Sequence, residues 1–313
     1  MSRVAYLVFA YKNPQLLKRA MKRLSTEHCA FFVHIDQKID INQFSCISGD
    51  NVFFTDKRVV VCWGEFSGID AILLLIQQAL ASPQRYDHFV LLSGSEYPLR
   101  SGQYIQTYLE ENRGCEFISL TKMPSPGKPI SRINTRRLES DRPLRRLGWM
   151  LLAKAGLAER DYRKYLAGLE PYSGITWWAL SRNACEYVMR FMESNPHVER
   201  FFRETFAPEE SFIHTVLGNS PLQHRVRGNF LFEDWTPPGG DPRLAVRGHL
   251  PQNLTAEHVA VFEAQDTVWI NDLYGRREAL FARKFSDHKP DLLDRLDAMI
   301  TLKENREQCL PLL

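Results

Sequence analysis

Hydrophobic and polar positions recur along this chain at two different periods. Val4–Ala10 (VAYLVFA) is an unbroken apolar run, and so is most of AFFVHID (Ala30–Asp36). Unbroken runs of this length, without in–out alternation, predict parallel strands covered on both faces. Between them, Pro14 to Leu24 places Leu16, Leu17, Ala20, Met21 and Leu24 on one helical face. NVFFTD and RVVVCWG predict short strands, Ile69–Ala81 an apolar helix, and Tyr86–Arg100 (YDHFVLLSGSEYPLR) a strand running into a polar turn. Tyr104–Asn112 reads as a helix, CEFISLT and GITWWALS (Gly174–Ser181) as strands, with further helices to Asn195. This alternation predicts an α/β fold with a mainly parallel central sheet flanked by helices. Such sheets bind ligands beyond the carboxyl ends of their strands. The segments HID, CWGEFSG and LSGSEYP all sit at such ends and are expected to line one crevice.

The chain has 313 residues, 44% of them hydrophobic. That suffices for one large core, read as a single domain over 1–313. Residues 124–170 read as a basic helical insertion and 256–313 as a C-terminal helical segment. The net charge of +3 is too small to argue for nucleic acid, but its placement is uneven. Lys128 to Lys164 holds eleven Lys or Arg against four Asp or Glu, a net of +7. Within it, RRLGWMLLAKAG (Arg145–Gly156) sets Trp149, Met150, Leu151 and Leu152 among cations. Two readings stand side by side. One is a solvated helix packed on the core; the other is a basic amphipathic helix, 142–164, lying on an anionic membrane surface. Nucleic acid is not expected as a partner, because stacking aromatics and a binding motif are missing. The apolar run at Val4–Ala10 is too short for a signal-peptide core and no segment is long enough to span a bilayer. The expected location is cytoplasmic, peripheral at the inner membrane face if the basic helix binds there. Six cysteines without a Cys-x-x-Cys pair read as free thiols of a reducing compartment.

Candidate chemistry begins at APEESFIHTVL (Ala207–Leu217). Pro208 suits a first helical turn and the acids Glu209 and Glu210 favour the helix dipole, which is the plain structural reading. A carboxylate at a helix start that faces a cleft can also serve as a general base. In LFARKFSD, Arg283 and Lys284 are adjacent cations bracketed by Phe281 and Phe285. They read either as surface charges on a C-terminal helix or as a pair suited to a diphosphate. Asp36 is either a cap of the turn after its strand or an acceptor for a ligand N–H. The sequence has no Asp-x-Asp, no Gly-x-x-x-x-Gly-Lys-Ser/Thr loop and no Gly-x-Ser-x-Gly elbow. Clustered metal ligands are also missing, so no metal is expected.

Seven segments, in order, resemble the core-2/I-branching enzyme and peptide O-xylosyltransferase family of glycosyltransferases. They are LVFAYKNPQLLKRAMKRL, FFVHIDQK, VVCWGEFSG, YDHFVLLSGSEYPLRS, GITWWALSR, APEESFIHTVL and LFARKFSD, extending from residue 4 to about 287. The resemblance is closer to the xylosyltransferase branch and implies a bacterial-type member. It implies a GT-A-type fold, a UDP-sugar donor, and inversion at the anomeric carbon without an essential metal. It assigns Glu210, the last residue of Pro-x-Glu, as catalytic base, and Arg283 and Lys284 to the donor diphosphate. It assigns Asp36 to the uracil and carries the Trp63–Gly64 loop and the Leu92–Pro98 turn, with Ser95 and Glu96, into the donor site. Glu96 reads equally as a sugar contact or as a brace for the turn. Trp177 is expected to be a sugar-stacking platform, with one of Trp177 and Trp178 facing the core and the other the cleft. The 256–313 segment would complete the donor site. Gly174-Ile175-Thr176-Trp177 stands where relatives show Gly-Ser-Asp-Trp, so GlcNAc and xylose both stay open as the sugar. The implied acceptor is a glycan, glycolipid or protein hydroxyl of bacterial surface glycan synthesis. Two other readings remain: a nucleotide-sugar-binding protein without catalysis, and a basic peripheral-membrane interaction protein.

Overall fold

The computed structural model describes residues 1–137, 147–148, 151, 154–156, 158–236 and 251–309. In chain order the described strands are β1 (Val4–Ala10), β2 (Cys29–Ile35), β3 (Val52–Phe54), β4 (His88–Ser93), β5 (Glu96–Pro98), β6 (Thr121–Lys122), β7 (Tyr172–Ser173), β8 (Ala179–Ser181), β9 (Leu231–Glu233), β10 (Trp269–Asp272), β11 (Gly275–Glu278) and β12 (Phe281–Arg283). The α-helices are α1 (Pro14–Leu24), α2 (Ser67–Ala81), α3 (Gly102–Glu111), α4 (Ser131–Asn134), α5 (Arg182–Ser194), α6 (Pro196–Arg203), α7 (Phe212–Gly218), α8 (Ala256–Glu263) and α9 (Pro290–Cys309).

The central sheet has the order β3-β2-β1-β4-β8. Its first four strands are parallel and β8 closes the edge antiparallel to β4. Leu7 of β1 lies between Phe32 of β2 and Leu91 of β4. Helices cover both faces, so all three inner strands are buried almost throughout. That is why their sequences read as unbroken apolar runs. Each large side chain buried there contributes about 1.5–3 kcal/mol, which makes the sheet centre the rigid base of the molecule. On α1, Leu16, Leu17, Ala20, Met21 and Leu24 are the buried positions, as the periodicity predicts. Pro14 occupies the first turn, where its missing N–H has no helical partner to lose.

A second, three-stranded sheet has the order β5-β12-β9. β12 runs antiparallel to β5 and parallel to β9, and the register sets Arg283 opposite both Glu96 and Glu233. Behind it, Tyr97, Leu99, Ala282 and Phe285 form a separate apolar cluster with Val259 and Phe262 of α8 and Leu296 and Ile300 of α9.

Several expectations need correction. RVVVCWG forms no strand; residues 58–62 are irregular and are held by β2 through side chains described below. CEFISLT reduces to isolated bridges, Glu116 to Val226 and Phe117 to Ala179, before Thr121. GITWWALS joins a ladder only at Ala179–Ser181, so Trp177 and Trp178 precede the strand. The segment 256–313 is helical only at its two ends, with the β10–β11 hairpin and β12 between. Arg283 therefore lies on a strand. Of 124–170, the described residues include α4, helical positions at 147, 148, 151 and 154, and a 3-10 turn at Tyr162–Lys164. Trp149, Met150 and Leu152 of the expected basic helix lie outside the described residues, as do Arg142, Arg145 and Arg146. Cys29 and Cys185 are buried free thiols, while Cys62 is half-buried. Among the described residues, no helix is long and apolar enough to cross a membrane.

Candidate active site

The carboxyl edge of the central sheet gathers the candidate residues. At the end of β2, Asp36 is buried and its Oδ1 accepts from Lys38 N at 3.0 Å and Val61 N at 3.4 Å. Lys38 Nζ lies 3.4 Å from Asp36 Oδ2. Asp36 thus caps its turn, as one sequence reading held, and also pins the 59–61 loop. His34 helps: its Nε2 accepts from Val59 N at 2.9 Å. Burial lowers the His34 pKa to about 4, so the ring is neutral and free to accept.

The same loop leads to Trp63 and Gly64. Trp63 is 70% exposed and packs edge-on against Phe206, with ring centroids 5.5 Å apart. Gly64 has φ +74°, and a Cβ there would meet Phe206 Cε2 at 2.8 Å. Only glycine fits both the left-handed backbone and the close ring. Ala207 N donates to Gly64 O at 3.0 Å and thereby anchors the turn that carries the two acids. Ala207 itself holds φ 48°, an uncommon setting for a residue with a Cβ.

Pro208–Glu210 is a 3-10 turn, and the α-helix begins only at Phe212. The acids therefore precede the helix instead of occupying its first turn. The two carboxyls meet different surroundings. Glu209 has a buried oxygen with no hydrogen-bond partner, and burial pushes its pKa up to about 7. Glu210 Oε2 is contacted by both Lys128 Nζ and Arg132 Nη1. Burial alone would raise its pKa, but Lys128 and then Arg132 hold it below the ordinary value. Glu210 is therefore ionised at neutral pH, and two cations stand at its oxygen. Neither was singled out from the sequence, where both looked like part of a solvated basic stretch. Other cations of that stretch also turn inward. Arg136 Nε and Arg160 Nη1 lie 2.8 and 3.3 Å from Glu204 Oε2. Arg137 stacks on Phe206 at 4.5 Å. Lys128, Arg132, Arg136 and Arg160 of the basic stretch thus face Glu210 or Glu204.

In the three-stranded sheet, Arg283 Nε lies 3.0 Å from Glu96 Oε1 and its Nη1 lies 3.5 Å from Glu233 Oε1. Its guanidinium also sits 4.6 Å from the Trp177 ring centroid. Both tryptophans are buried, Trp178 at 1% and Trp177 at 7% exposure, so neither opens to a cleft, contrary to expectation; the ring of Trp177 is covered by the Arg283 guanidinium. Glu96 additionally accepts from Ser93 N, and from Ser93 Oγ at 3.0 Å, which braces the β4–β5 turn. Ser95 is buried and its carbonyl accepts from Phe285 N at 2.9 Å, tying that turn to the residue after Lys284. Burial raises the Glu233 pKa, with Arg283 opposing. Lys284 is half-buried and, among the described residues, no carboxylate reaches its ammonium. Burial, then the Arg283 charge, lowers its pKa. Glu233 was also missed; only the strand register reveals it.

One segment joins the two halves. Gly174 N donates to the Glu210 carbonyl at 2.9 Å, and Gly174 O accepts from Lys128 Nζ at 3.3 Å. Trp177, on Arg283, is three residues further, at most about 10 Å along the chain. Residues 174–177 thus touch the acid at one end, through Gly174, and Arg283 at the other, through Trp177. Among the described residues, no three His, Cys, Asp or Glu come together as a metal-binding group.

A family model described as core-2/I-branching enzyme matches residues 4–262. Xylosyltransferase 2 of Canis lupus familiaris is 30% identical over 249 residues, 74% of this chain and 26% of that protein. Xylosyltransferase 1 of Rattus norvegicus is 26% identical over 248 residues, 74% of this chain and 28% of that one. The chain thus matches only about a quarter of the length of these curated relatives. Among solved structures, mouse xyloside xylosyltransferase 1 covers 90% of this chain and 97% of its own at 10% identity, with a TM-score of 0.34. A likeness that weak says nothing about the site.

Proposed function

The chain belongs to the core-2/I-branching enzyme family, and from that premise we propose that it is an inverting glycosyltransferase using a UDP-sugar. The observation that supports this is the link made by residues 174–177, with an ionised Glu210 at one end and Arg283, followed by Lys284, at the other. An acceptor hydroxyl sits between Glu210 and C1 of the donor sugar. Its oxygen attacks C1 from the face opposite UDP, and its proton passes to Glu210. The C1–O bond to the diphosphate breaks with its electron pair leaving on UDP. One displacement turns an α-linked donor into a β-linked product. Negative charge grows on the diphosphate as the bond breaks, and Lys284 and Arg283 oppose it.

Lys128 and Arg132 set a condition on the base. They keep Glu210 ionised, and they also weaken it as a proton acceptor. Both meet Oε2, which leaves Oε1 as the oxygen to take the acceptor's proton. Trp177 supports Arg283, and the Trp63–Gly64 loop, bonded to the Ala207–Glu210 turn, borders the donor site. GlcNAc and xylose are the proposed sugars, transferred without a metal, and the acceptor is a glycan, glycolipid or protein of a bacterial surface pathway. The test is UDP release from a panel of UDP-sugars with and without EDTA. Release from one of them, unchanged by EDTA, is expected. No release and no binding of any UDP-sugar would refute the reading. Loss in EDTA restored by manganese would refute its metal-independent form.

A further inference from the structure

Counting formal charges around the donor cations exposes a shortfall. Arg283 and Lys284 are faced by Glu96 and Glu233, two cations against two carboxylates. That balance is near zero, and a diphosphate brings further negative charge to it. We propose that Lys12 supplies the missing cation and contacts the diphosphate of the donor, an inference that rests on the UDP-sugar reading above.

The placement follows from the backbone. Lys12 lies just beyond the carboxyl end of β1, beside β4, whose Ser93 pairs with Phe9. Its carbonyl presses against the β4–β5 turn so closely that a Cβ on Gly94 would lie 2.5 Å from Lys12 O. The next residue, Asn13, holds φ 58° and donates from Nδ2 to Gly94 O at 2.7 Å. From the other side, Phe285 N donates to Ser95 O at 2.9 Å. Lys12 and Asn13 on one side and Phe285 on the other therefore clamp the same two-residue turn, which sets the backbone at Lys12 and at Lys284 beside it. The two like charges are close enough for Lys12 to oppose protonation of Lys284, after burial and Arg283. Lys12 is exposed, its ammonium lies 5.2 Å from the Tyr11 ring centroid, and no carboxylate reaches it among the described residues. Two neighbouring unpaired ammonium groups repel each other in the absence of an anion, and an anion between them relieves that repulsion.

Calorimetric titration of UDP, with uridine followed by ligand-observed NMR, separates the possibilities. Lys12→Met is expected to weaken UDP about tenfold, or about 1.4 kcal/mol, and to leave uridine binding unchanged. Lys12→Arg should restore most of the UDP affinity, and Lys57→Met, an exposed lysine elsewhere, should change neither. UDP binding of wild-type strength in Lys12→Met would overturn the assignment, as would an equal loss for uridine. If the wild-type protein binds neither UDP nor uridine, the donor reading itself fails.

Discussion

Arg283→Ala is the most informative single change, because Arg283 serves stability as well as binding. The side chains involved are 13% exposed for Arg283, 1% for Glu96 and 6% for Glu233. Removing the guanidinium leaves two buried carboxylates without their counter-charge. Breaking a buried pair this way costs about 3–5 kcal/mol, far above the value of an exposed pair. At about 2 °C per kcal/mol for a chain of this size, melting should fall by roughly 6–10 °C. The loss has a definite pH sign. With Arg283 gone, the native carboxyl pKa values rise, so the folded state holds protons that the unfolded chain releases. Stability from these groups is then present at low pH and lost as pH rises, and the deficit should shrink between about pH 8 and pH 5. Lys284→Ala is the contrast. Lys284 has no carboxylate partner among the described residues, so its loss should weaken UDP by about 1.5–3 kcal/mol with little change in melting. Differential scanning fluorimetry across pH, paired with UDP titration, reads both effects. Arg283→Ala melting within about 2 °C of wild type at pH 8, or a deficit constant with pH, would refute this reasoning.

Three further expectations use the acid-bearing turn. Lys128→Met removes a cation that holds the Glu210 pKa down, so the acidic limb of the kcat/KM profile should move to higher pH; an unmoved limb would mean Glu210 is not the titrating base. Glu209 has a pKa raised to about 7, so it stabilises the fold most below its unfolded value near 4.5 and that contribution is lost as pH rises through about 7. Glu209→Gln should accordingly flatten the fall in stability over that window, measured by urea denaturation, and an unaltered slope would contradict its burial. Gly64→Ala combines a left-handed φ with a Cβ 2.8 Å from Phe206. It should cost about 1–3 kcal/mol and lower turnover by displacing the Ala207–Glu210 turn, so a neutral melt would refute the packing argument.

How much was legible in the sequence depended on the range of the interaction. β1, β2, β4 and the buried face of α1 follow from local apolar patterning, because both faces of the sheet are covered. The short or irregular pieces do not. Residues 58–62 look like a strand by composition, but the Val59, Val61 and Cys62 amides are taken by the His34, Asp36 and Ser67 side chains instead of a ladder. β12 looked helical because its strand character comes from β5 and β9, far away in sequence. The same distance hid Glu233, and it hid Lys128 and Arg132, which a charge count classes as solvated. The acid turn and the Arg283–Lys284 pair were visible as motifs, and residues 174–177 touch the Glu210 carbonyl at one end and Arg283 at the other. Their partners could be found only in three dimensions.

The measurement closest to the central claim is the rate of UDP release from the accepted donor by Glu210→Gln. Loss of a general base should lower turnover by about a hundred- to ten-thousandfold, while UDP affinity stays within about twofold of wild type. Turnover at the wild-type rate would contradict the assignment of Glu210 as the group that takes the acceptor's proton.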